Sequence, residues 1–504
     1  MKKNISANLL SNLWSTALSL LLTPLYVKYL GVENFGLIGF HLSWLAIVGI
    51  VDTGISAAAV REIAWLAARP NEKWKIPNLL LSLEFVYWGI ILIFGVVLFI
   101  WSWFFGAGWF QTKFLAPEVV RDALLLMAVS VVAQVPSGLY VGGLMGLQRQ
   151  VECSGLLALF RSLRGVGAIL VLRFICPDVR AFFLWQIIVS VMQTGMLRRA
   201  LWKKVGVEGQ HPVFSINDLR LIKGFTVGMI LITALSLIIT QADRMLLSRA
   251  VALDVFGYYM LAWTVASGLS RVATPLMQAF GPHFTELISR GADEELAKKV
   301  HIASQLMNAL ILPPAALIAF SAKPVLYAWM GNRAVAEGAG PILAILVTGT
   351  ALLACSYPSL SILYSKKEIG SVIVVNLVCL VLLLPALVWG IVHFGLVGAA
   401  SISCLYGLIQ FVAYQAYGLR GIPGAGLFSA LARDFTPPCM ASFAVAAIAS
   451  RWLNQANGKM IFIAQMGLVL IVGWSLALLV CKDIVDIVSK NMKLKAELDF
   501  SRHV

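Results

Sequence analysis

Charged residues are scarce in this sequence. Only 12% of its 504 residues are charged, 60% are hydrophobic, and the mean hydropathy is +0.87. A soluble domain averages roughly 25% charged residues. The low charge excludes a water-facing surface over this length and indicates a polytopic membrane protein.

The sequence also lacks the motifs of several enzyme and binding classes. It contains no G-x-x-x-x-G-K-[ST] or G-x-G-x-x-G motif and no Cys or His spacing typical of a metal site. The seven cysteines are scattered and odd in number, which favours a packing role. The predicted loops are too short for a soluble catalytic or ATP-binding domain. We therefore expect no metal, no cofactor and no nucleic-acid partner.

Apolar runs long enough to cross a bilayer recur along the chain. A membrane helix needs about 20 mostly apolar residues, and the alternation typical of a membrane barrel is absent. The sequence therefore predicts an all-α polytopic protein with about 14 transmembrane helices. The predicted spans are 8–30, 36–60, 79–104, 123–147, 155–175, 181–200, 221–247, 255–280, 302–324, 340–364, 370–393, 396–418, 436–453 and 460–481.

Lys and Arg indicate how these spans are oriented. With both termini in the cytoplasm, 24 of these residues fall on the cytoplasmic side and eight on the outer side. Cytoplasmic loops of membrane proteins are enriched in Lys and Arg. We therefore expect cytoplasmic N- and C-termini and attribute most of the net charge of +15 to topology.

A short stretch of sequence occurs twice. Residues 16–23 read TALSLLLT, and residues 233–240 read TALSLIIT. Each copy is followed by a Phe-Gly pair, at 35–36 and at 256–257, where a new apolar span begins. Six predicted spans separate the copies, so both have the same orientation, as in a parallel repeat about an axis along the membrane normal.

The repeat predicts two pseudo-symmetric six-helix lobes and two further C-terminal helices. We assign residues 1–205 to the N-lobe, 206–219 to a cytoplasmic linker, 220–418 to the C-lobe, and 419–504 to the last two spans and a cytoplasmic tail. Two bundles around a cleft suit alternating access by rocking.

Charged side chains inside predicted spans are candidates for substrate binding. A charge at the bilayer centre costs at least about 2.5 kcal/mol, so it usually faces protein or a watery cavity. At about 1.5 Å per residue, Arg271 and Asp52 lie past the middle of the membrane on repeat-equivalent helices. Arg271 is a candidate ligand for an anion; alternatively it is a structural partner of Asp52 or another acid.

Two arginines share one face of the fifth span. Arg161 and Arg164 are three positions apart, which places both on one side of a helix. Two guanidinium groups without a neighbouring acid suit a polyanion such as pyrophosphate. The alternative is that both reach the headgroups of inner-leaflet lipids.

Three acidic residues, Asp52, Glu84 and Asp243, are candidates for coupling transport to protons or ions. A carboxyl group in a low-dielectric site can hold a proton. A structural ion pair is equally consistent with these residues. Asp243 precedes Arg244 near the outer end of a span, where the alternative is that both side chains extend to the interface.

The residues in these motifs also carry a family resemblance. Residues 4–64, with YLGVENFGLIGF and DTGISAAAVREIA, resemble the start of bacterial lipid-linked oligosaccharide flippases. The second-half pattern TQADRMLLSRAVALDVFGYYMLAW is similar too. These proteins form the polysaccharide transporter family of the multidrug/oligosaccharidyl-lipid/polysaccharide (MOP) flippase superfamily.

The resemblance implies a function in polysaccharide export. Such proteins move undecaprenyl-diphosphate-linked oligosaccharide repeat units across the bacterial cytoplasmic (inner) membrane, for O-antigen, capsule or exopolysaccharide synthesis. Membrane lipids, a polysaccharide polymerase and a chain-length regulator are the implied partners. Cationic cavity residues hold the lipid head in this family, and Arg61 of VREIA and Arg244 of QADRML match recurrent motif positions. The alternative for Arg61 is a solvated interfacial pair with Glu62.

Two other functions compete with the flippase prediction. A cation-coupled small-molecule exporter of the MATE type would need an acid-lined N-lobe cavity, whereas the embedded charges are seven basic to four acidic. A membrane glycosyltransferase or polymerase would need an outer catalytic loop, and only a short one follows the third span. We therefore expect a transporter for an anionic cargo, not an enzyme.

Overall fold

The structure is a computed structural model, and it describes residues 2–206, 212–453 and 458–486. Linker residues 207–211 and tail residues 487–504 lie outside the described residues. Within the described part the regular elements are helical, as predicted. The helices are α1 (Lys2–Ala67), α2 (Lys75–Trp109), α3 (Pro117–Gln134), α4 (Ser137–Gly146), α5 (Gln150–Phe174), α6 (Val179–Val205), α7 (Ile216–Ala250), α8 (Leu253–Arg290), α9 (Asp293–Phe320), α10 (Ala322–Met330), α11 (Arg333–Cys355), α12 (Tyr357–Ser365), α13 (Ile369–Gly418), α14 (Leu427–Ser429), α15 (Thr436–Leu453) and α16 (Lys459–Leu479).

Two long helices each contain two predicted spans, joined at a glycine. In α1 the junction is Gly31, with φ 83° and ψ 168°. In α13 it is Gly395, with φ 56° and ψ −129°. A side chain would clash with the main chain in these conformations, so glycine lets one span lead directly into the next.

Two other predicted spans are each broken at a proline. Pro136 separates α3 from α4, and Pro358 lies in the first turn of α12, directly after α11. Proline lacks an N–H group and interrupts helical hydrogen bonding. A non-glycine residue with positive φ follows both short helices, Gln148 at 57° and Lys367 at 61°. The two breaks lie in the fourth and the tenth predicted spans, which are equivalent in the predicted repeat.

The exterior of the helices is suited to lipid. Nine segments of the described residues are long and apolar enough to cross a membrane. On α2, for example, the side chains of Phe85, Ile93 and Phe104 are 73%, 65% and 73% exposed. Large apolar patches of this kind are rare on soluble monomers and are solvated by hydrocarbon in a bilayer. The protein is a multi-pass membrane protein.

The chain divides into two compact units, residues 1–260 and 261–504. In the first unit α1 packs along α4, α5 and α7, and α2 packs on α3. In the second unit α11 packs on α13, and α15 and α16 pack on α9. Helix α7, which the sequence repeat assigns to the C-lobe, thus belongs to the same compact unit as α1.

A buried polar network fastens the last helices to α9. The Nδ1 atom of His301 lies 2.7 Å from Oδ2 of Asp434. Gln305 donates hydrogen bonds to Asp434 (3.0 Å) and to Asp483 (2.5 Å), and Asn308 donates to the main-chain carbonyl of Asp434 (2.9 Å). Because buried polar groups are costly to leave unpaired, these bonds make the C-terminal helices an integral part of the second unit.

Candidate functional site

Arg164 lies where α5 meets α6 and the end of α3. Its partly buried guanidinium donates to Ser190 Oγ (3.2 Å), to Gln193 Oε1 (2.9 Å) and to the side-chain oxygen of Gln134. All three acceptors are neutral. No carboxylate in the described part of the first unit pairs with Arg164, so its hydrogen bonds fix its position without neutralising its charge.

Two rings from α1 border the same region. The hydroxyl of Tyr26 donates to the carbonyl of Gly165 (3.1 Å), beside Arg164. His41 is 4% exposed, packs edge-on against Phe183, and is close enough to Arg164 for an electrostatic interaction. Its Nε2 atom has no hydrogen-bond partner among the described residues. A ligand or water molecule that forms a hydrogen bond with this Nε2 atom would give it a partner.

Arg161 adds positive charge one turn before Arg164. Its guanidinium donates to the main-chain and side-chain oxygens of Ser11, at 3.3 and 3.4 Å. The two guanidinium groups interact electrostatically with each other. The predicted pair is therefore brought together beside α1, and we call Arg161 and Arg164 the α5 cationic cluster.

Asp52 is held by hydroxyl groups. It lies on α1 and accepts from Ser56 Oγ (2.5 Å) and from the Tyr87 hydroxyl of α2 (2.6 Å). Its carboxyl group packs directly on Gly138 of α4, where a Cβ atom would overlap it. No Lys or Arg in the described residues of the first unit pairs with Asp52, which can therefore gain a proton without breaking an ion pair.

Glu84 is held in a different way. Arg198 of α6 contacts both of its carboxylate oxygens, at 3.0 and 3.1 Å, and Trp202 Nε1 donates to it at 2.8 Å. Glu84 is 6% exposed. Its pairing holds α2 against α6, which is the structural alternative that the sequence left open.

Asp243 and Arg244 are both buried, at 5% exposure, near the end of α7. Asp243 accepts from the Tyr259 hydroxyl (2.5 Å) and from the Arg244 main-chain N–H (2.8 Å). The Arg244 guanidinium lies 3.4 Å from Asp243 and donates to the carbonyl of Thr240 (2.5 Å). The burial of both side chains argues against the alternative that they extend to the interface.

The other two predicted arginines, Arg61 and Arg271, belong to different units. Arg61 is exposed and lines an open cleft of about 490 Å³ together with Glu62, Trp65 and Lys75. Arg271 lies on α8 in the second unit, is partly buried, and pairs with no carboxylate in the described residues of that unit. Of the four predicted arginines in the first unit, only Arg161 and Arg164 are therefore brought together.

The sequence prediction missed the neutral residues that hold Arg164. A signal for them was present, because Gln186, Ser190, Gln193 and Thr194 form a polar stripe at helical spacing in an otherwise apolar span.

A family model supplies the relationship of the chain to known proteins. The model of the polysaccharide biosynthesis protein family matches residues 1–288, more than half of the chain. The chain belongs to this family. No curated protein matches the sequence.

Several solved structures of transport proteins share the fold of this polysaccharide biosynthesis protein. The lipid II flippase MurJ in an inward closed conformation is similar with a TM-score of 0.70 and 14% identity, covering 94% of this chain and 99% of that chain. An inward-facing MATE-family multidrug resistance transporter is similar with a TM-score of 0.64 and 13% identity, covering 88% of this chain and 96% of that chain. A MOP-superfamily transporter from Pyrococcus furiosus is similar with a TM-score of 0.57 and 14% identity, covering 83% of this chain and 95% of that chain. The predicted family resemblance is confirmed, whereas the number of spans and the two lobes stay predictions.

Proposed function

We propose that this protein flips undecaprenyl-diphosphate-linked oligosaccharide repeat units from the inner to the outer leaflet of the bacterial cytoplasmic (inner) membrane. The units would serve O-antigen, capsule or exopolysaccharide synthesis, with a polymerase and a chain-length regulator acting next. Family membership supports a role in polysaccharide biosynthesis, and the fold shared with a lipid II flippase supports a lipid-linked cargo. The observation that carries the proposal is that Arg164 is held by neutral oxygens and pairs with no carboxylate among the described residues of the first unit.

The physical argument rests on charge in a medium of low dielectric constant. A guanidinium within a membrane protein is costly unless protein, water or a ligand offsets its charge. Neutral oxygens orient Arg164 but leave its net charge in place. A diphosphate offers the paired anionic oxygens that a guanidinium binds best, and Arg161 stands beside it as a second cation.

The transport cycle follows from this arrangement. The diphosphate binds the α5 cationic cluster, the sugars occupy a hydrated cleft, and the prenyl chain stays in lipid. Rocking of two six-helix lobes, residues 1–205 and 220–418, then exposes the cleft to the other side. Arg271 of the second lobe, and Arg61 and Arg244 of the family motifs, are further candidates for contact with the lipid head along this path.

Asp52 is the best of the three acidic candidates for coupling, and this gives a prediction. Asp52→Asn should remove the dependence of transport on a proton or ion gradient, because Asp52, unlike Glu84 and Asp243, forms no ion pair with a described residue of the first unit. Glu84→Gln should leave that dependence intact and lower the stability by about 1–3 kcal/mol, since its charged hydrogen bonds are lost. Transport in vesicles with imposed gradients and thermal unfolding in detergent measure the two effects. Equal loss of coupling in both variants would refute the distinction.

A chromosomal deletion with intact repeat-unit synthesis tests the function itself. We expect lipid-linked single repeat units to accumulate and surface polymer to disappear, with both reversed by the wild-type gene. Extracted lipids and surface polysaccharide are quantified side by side. If lipid and polymer pools are unchanged in a strain without a second homologue, the cation-coupled small-molecule exporter is favoured instead. The fold shared with a MATE transporter and the hydroxyl-bonded carboxyl group of Asp52 would suit that function, and drug-efflux assays would then decide.

A further inference from the structure

The turns that follow the two repeated stretches contact each other reciprocally. A Cβ atom on Gly36 would lie 2.8 Å from the carbonyl oxygen of Leu253, and one on Gly257 would overlap the carbonyl oxygen of Val32. Gly36 and Gly257 differ by 221 positions, and so do Val32 and Leu253. The glycine of each copy therefore contacts the equivalent residue of the other copy, as expected for two segments related by a two-fold axis.

The segment of residues 108–114, which contains the end of α2 and the residues after it, is bonded to the second of these turns. The main-chain N–H of Leu253 donates to the carbonyl of Gln111 at 2.8 Å. Arg249 donates to the carbonyl of Trp109 at 3.0 Å. Both bonds use main-chain carbonyl groups of the segment, so they hold it against the second copy irrespective of the segment's own side chains.

The same segment is bonded to the first turn through a buried acid. Glu33, 6% exposed, accepts the main-chain N–H groups of Lys113 (2.8 Å) and Phe114 (3.2 Å). The ammonium of Lys113 lies 2.9 Å from Asp254 of the second copy. Glu33 and Asp254 again differ by 221 positions, so Lys113 stands between two equivalent acids. Its hydrogen bond with Asp254 raises the pKa of the Lys113 ammonium, which stays charged at neutral pH.

We propose that residues 108–114 are a latch that holds the two repeat copies together at this end of the transport path, and that the latch must open during each cycle. The proposal rests on the proposed alternating-access function. By the predicted topology this end faces the outside. Once this segment leaves, Glu33 loses its two main-chain N–H donors and Asp254 loses its ammonium partner, so the contacts that join the turns through the segment are gone.

A reversible cross-link tests whether the latch has to open. Gln111 and Ala252 form an isolated β-bridge, which brings their Cα atoms into the range of a disulfide. Gln111→Cys/Ala252→Cys is made with Cys176→Ser, since Cys176 is the exposed native cysteine of the described residues. Oxidation should reduce export at least tenfold, with recovery after a reductant; each single cysteine variant should export normally. Export that continues in the fully cross-linked protein would overturn the proposal.

A second measurement needs no cargo and separates the latch from the proposed function. Met260→Cys places a thiol at a fully buried position in the first turns of α8, and its maleimide labelling in liposomes reports opening. Lys113→Ala should raise the labelling rate about threefold, because exposed ion pairs are weak, and Glu33→Ala about tenfold. Lys323→Ala is the matched control, since it breaks an exposed Lys–Glu pair of similar length (2.8 Å) outside the latch.

The outcomes distinguish the two ideas. The latch is supported and the flippase refuted if two results coincide. Labelling is faster in the latch variants but not in the control, and lipid-linked units do not accumulate in the deletion strain. Accumulation of those units in the deletion strain, with equal labelling in all variants, would support the flippase and refute the latch.

Discussion

Arg164→Ala is expected to reduce surface polysaccharide at least about thirtyfold and to cause lipid-linked single repeat units to accumulate. Removing one partner of a desolvated, hydrogen-bonded charge pair costs about 2–5 kcal/mol, and a diphosphate would form such a pair with this guanidinium. The variant leaves Ser190 and Gln193 without their donor, so the protein level in the membrane is measured in the same cells.

Two further substitutions make this test specific. Arg164→Lys keeps the charge but loses the planar, two-pronged donor, so an intermediate loss of about tenfold is expected. Arg173→Ala removes an exposed arginine from the same helix and should behave like the wild type. If Arg164→Ala is present at normal levels and exports polymer normally, the α5 cationic cluster is not the binding site for the lipid head.

The predictable features of this fold are those that depend on local sequence. Apolar runs of sufficient length must be helical in a bilayer, and the helical content of the described residues confirms this. The repeated Phe-Gly pairs were also informative, because both of their glycines lie at a close approach of two main chains. Such positions constrain residue type directly, so they leave a trace in the sequence.

The partners of the charged residues were not predictable in the same way. Helical spacing placed Arg161 and Arg164 on one face, but it does not tell which helix covers that face. Asp52 and Glu84 looked alike in sequence, yet Glu84 meets Arg198, a residue 114 positions later, and Asp52 meets hydroxyl groups instead. Pairings of this kind depend on helix packing, and a single sequence contains no direct record of it.

Gly39→Met is expected to destabilise the protein, and adding Met260→Gly is expected to restore much of the loss. Residues 39 and 260 differ by 221 positions, and a Cβ atom on Gly39 would overlap the Met260 side chain. Two equivalent positions that touch each other lie at a pseudo-two-fold axis. Overpacking there should cost about 1–3 kcal/mol, whereas Met260→Gly alone leaves a cavity that costs about 2–5 kcal/mol.

The double variant exchanges the two residues across the axis. A methionine from position 39 then enters the space that Met260 occupied, so the double variant should be more stable than the sum of the single effects by at least about 1 kcal/mol. Thermal unfolding in detergent measures this difference. Gly39→Met with Met307→Gly is the control, because Met307 is equally buried but belongs to α9 in the second unit. If the stability effects of the single substitutions simply add in both pairs, residues 39 and 260 cannot substitute for each other. The repeat would then hold for the order of the helices but not for the side-chain packing at its axis.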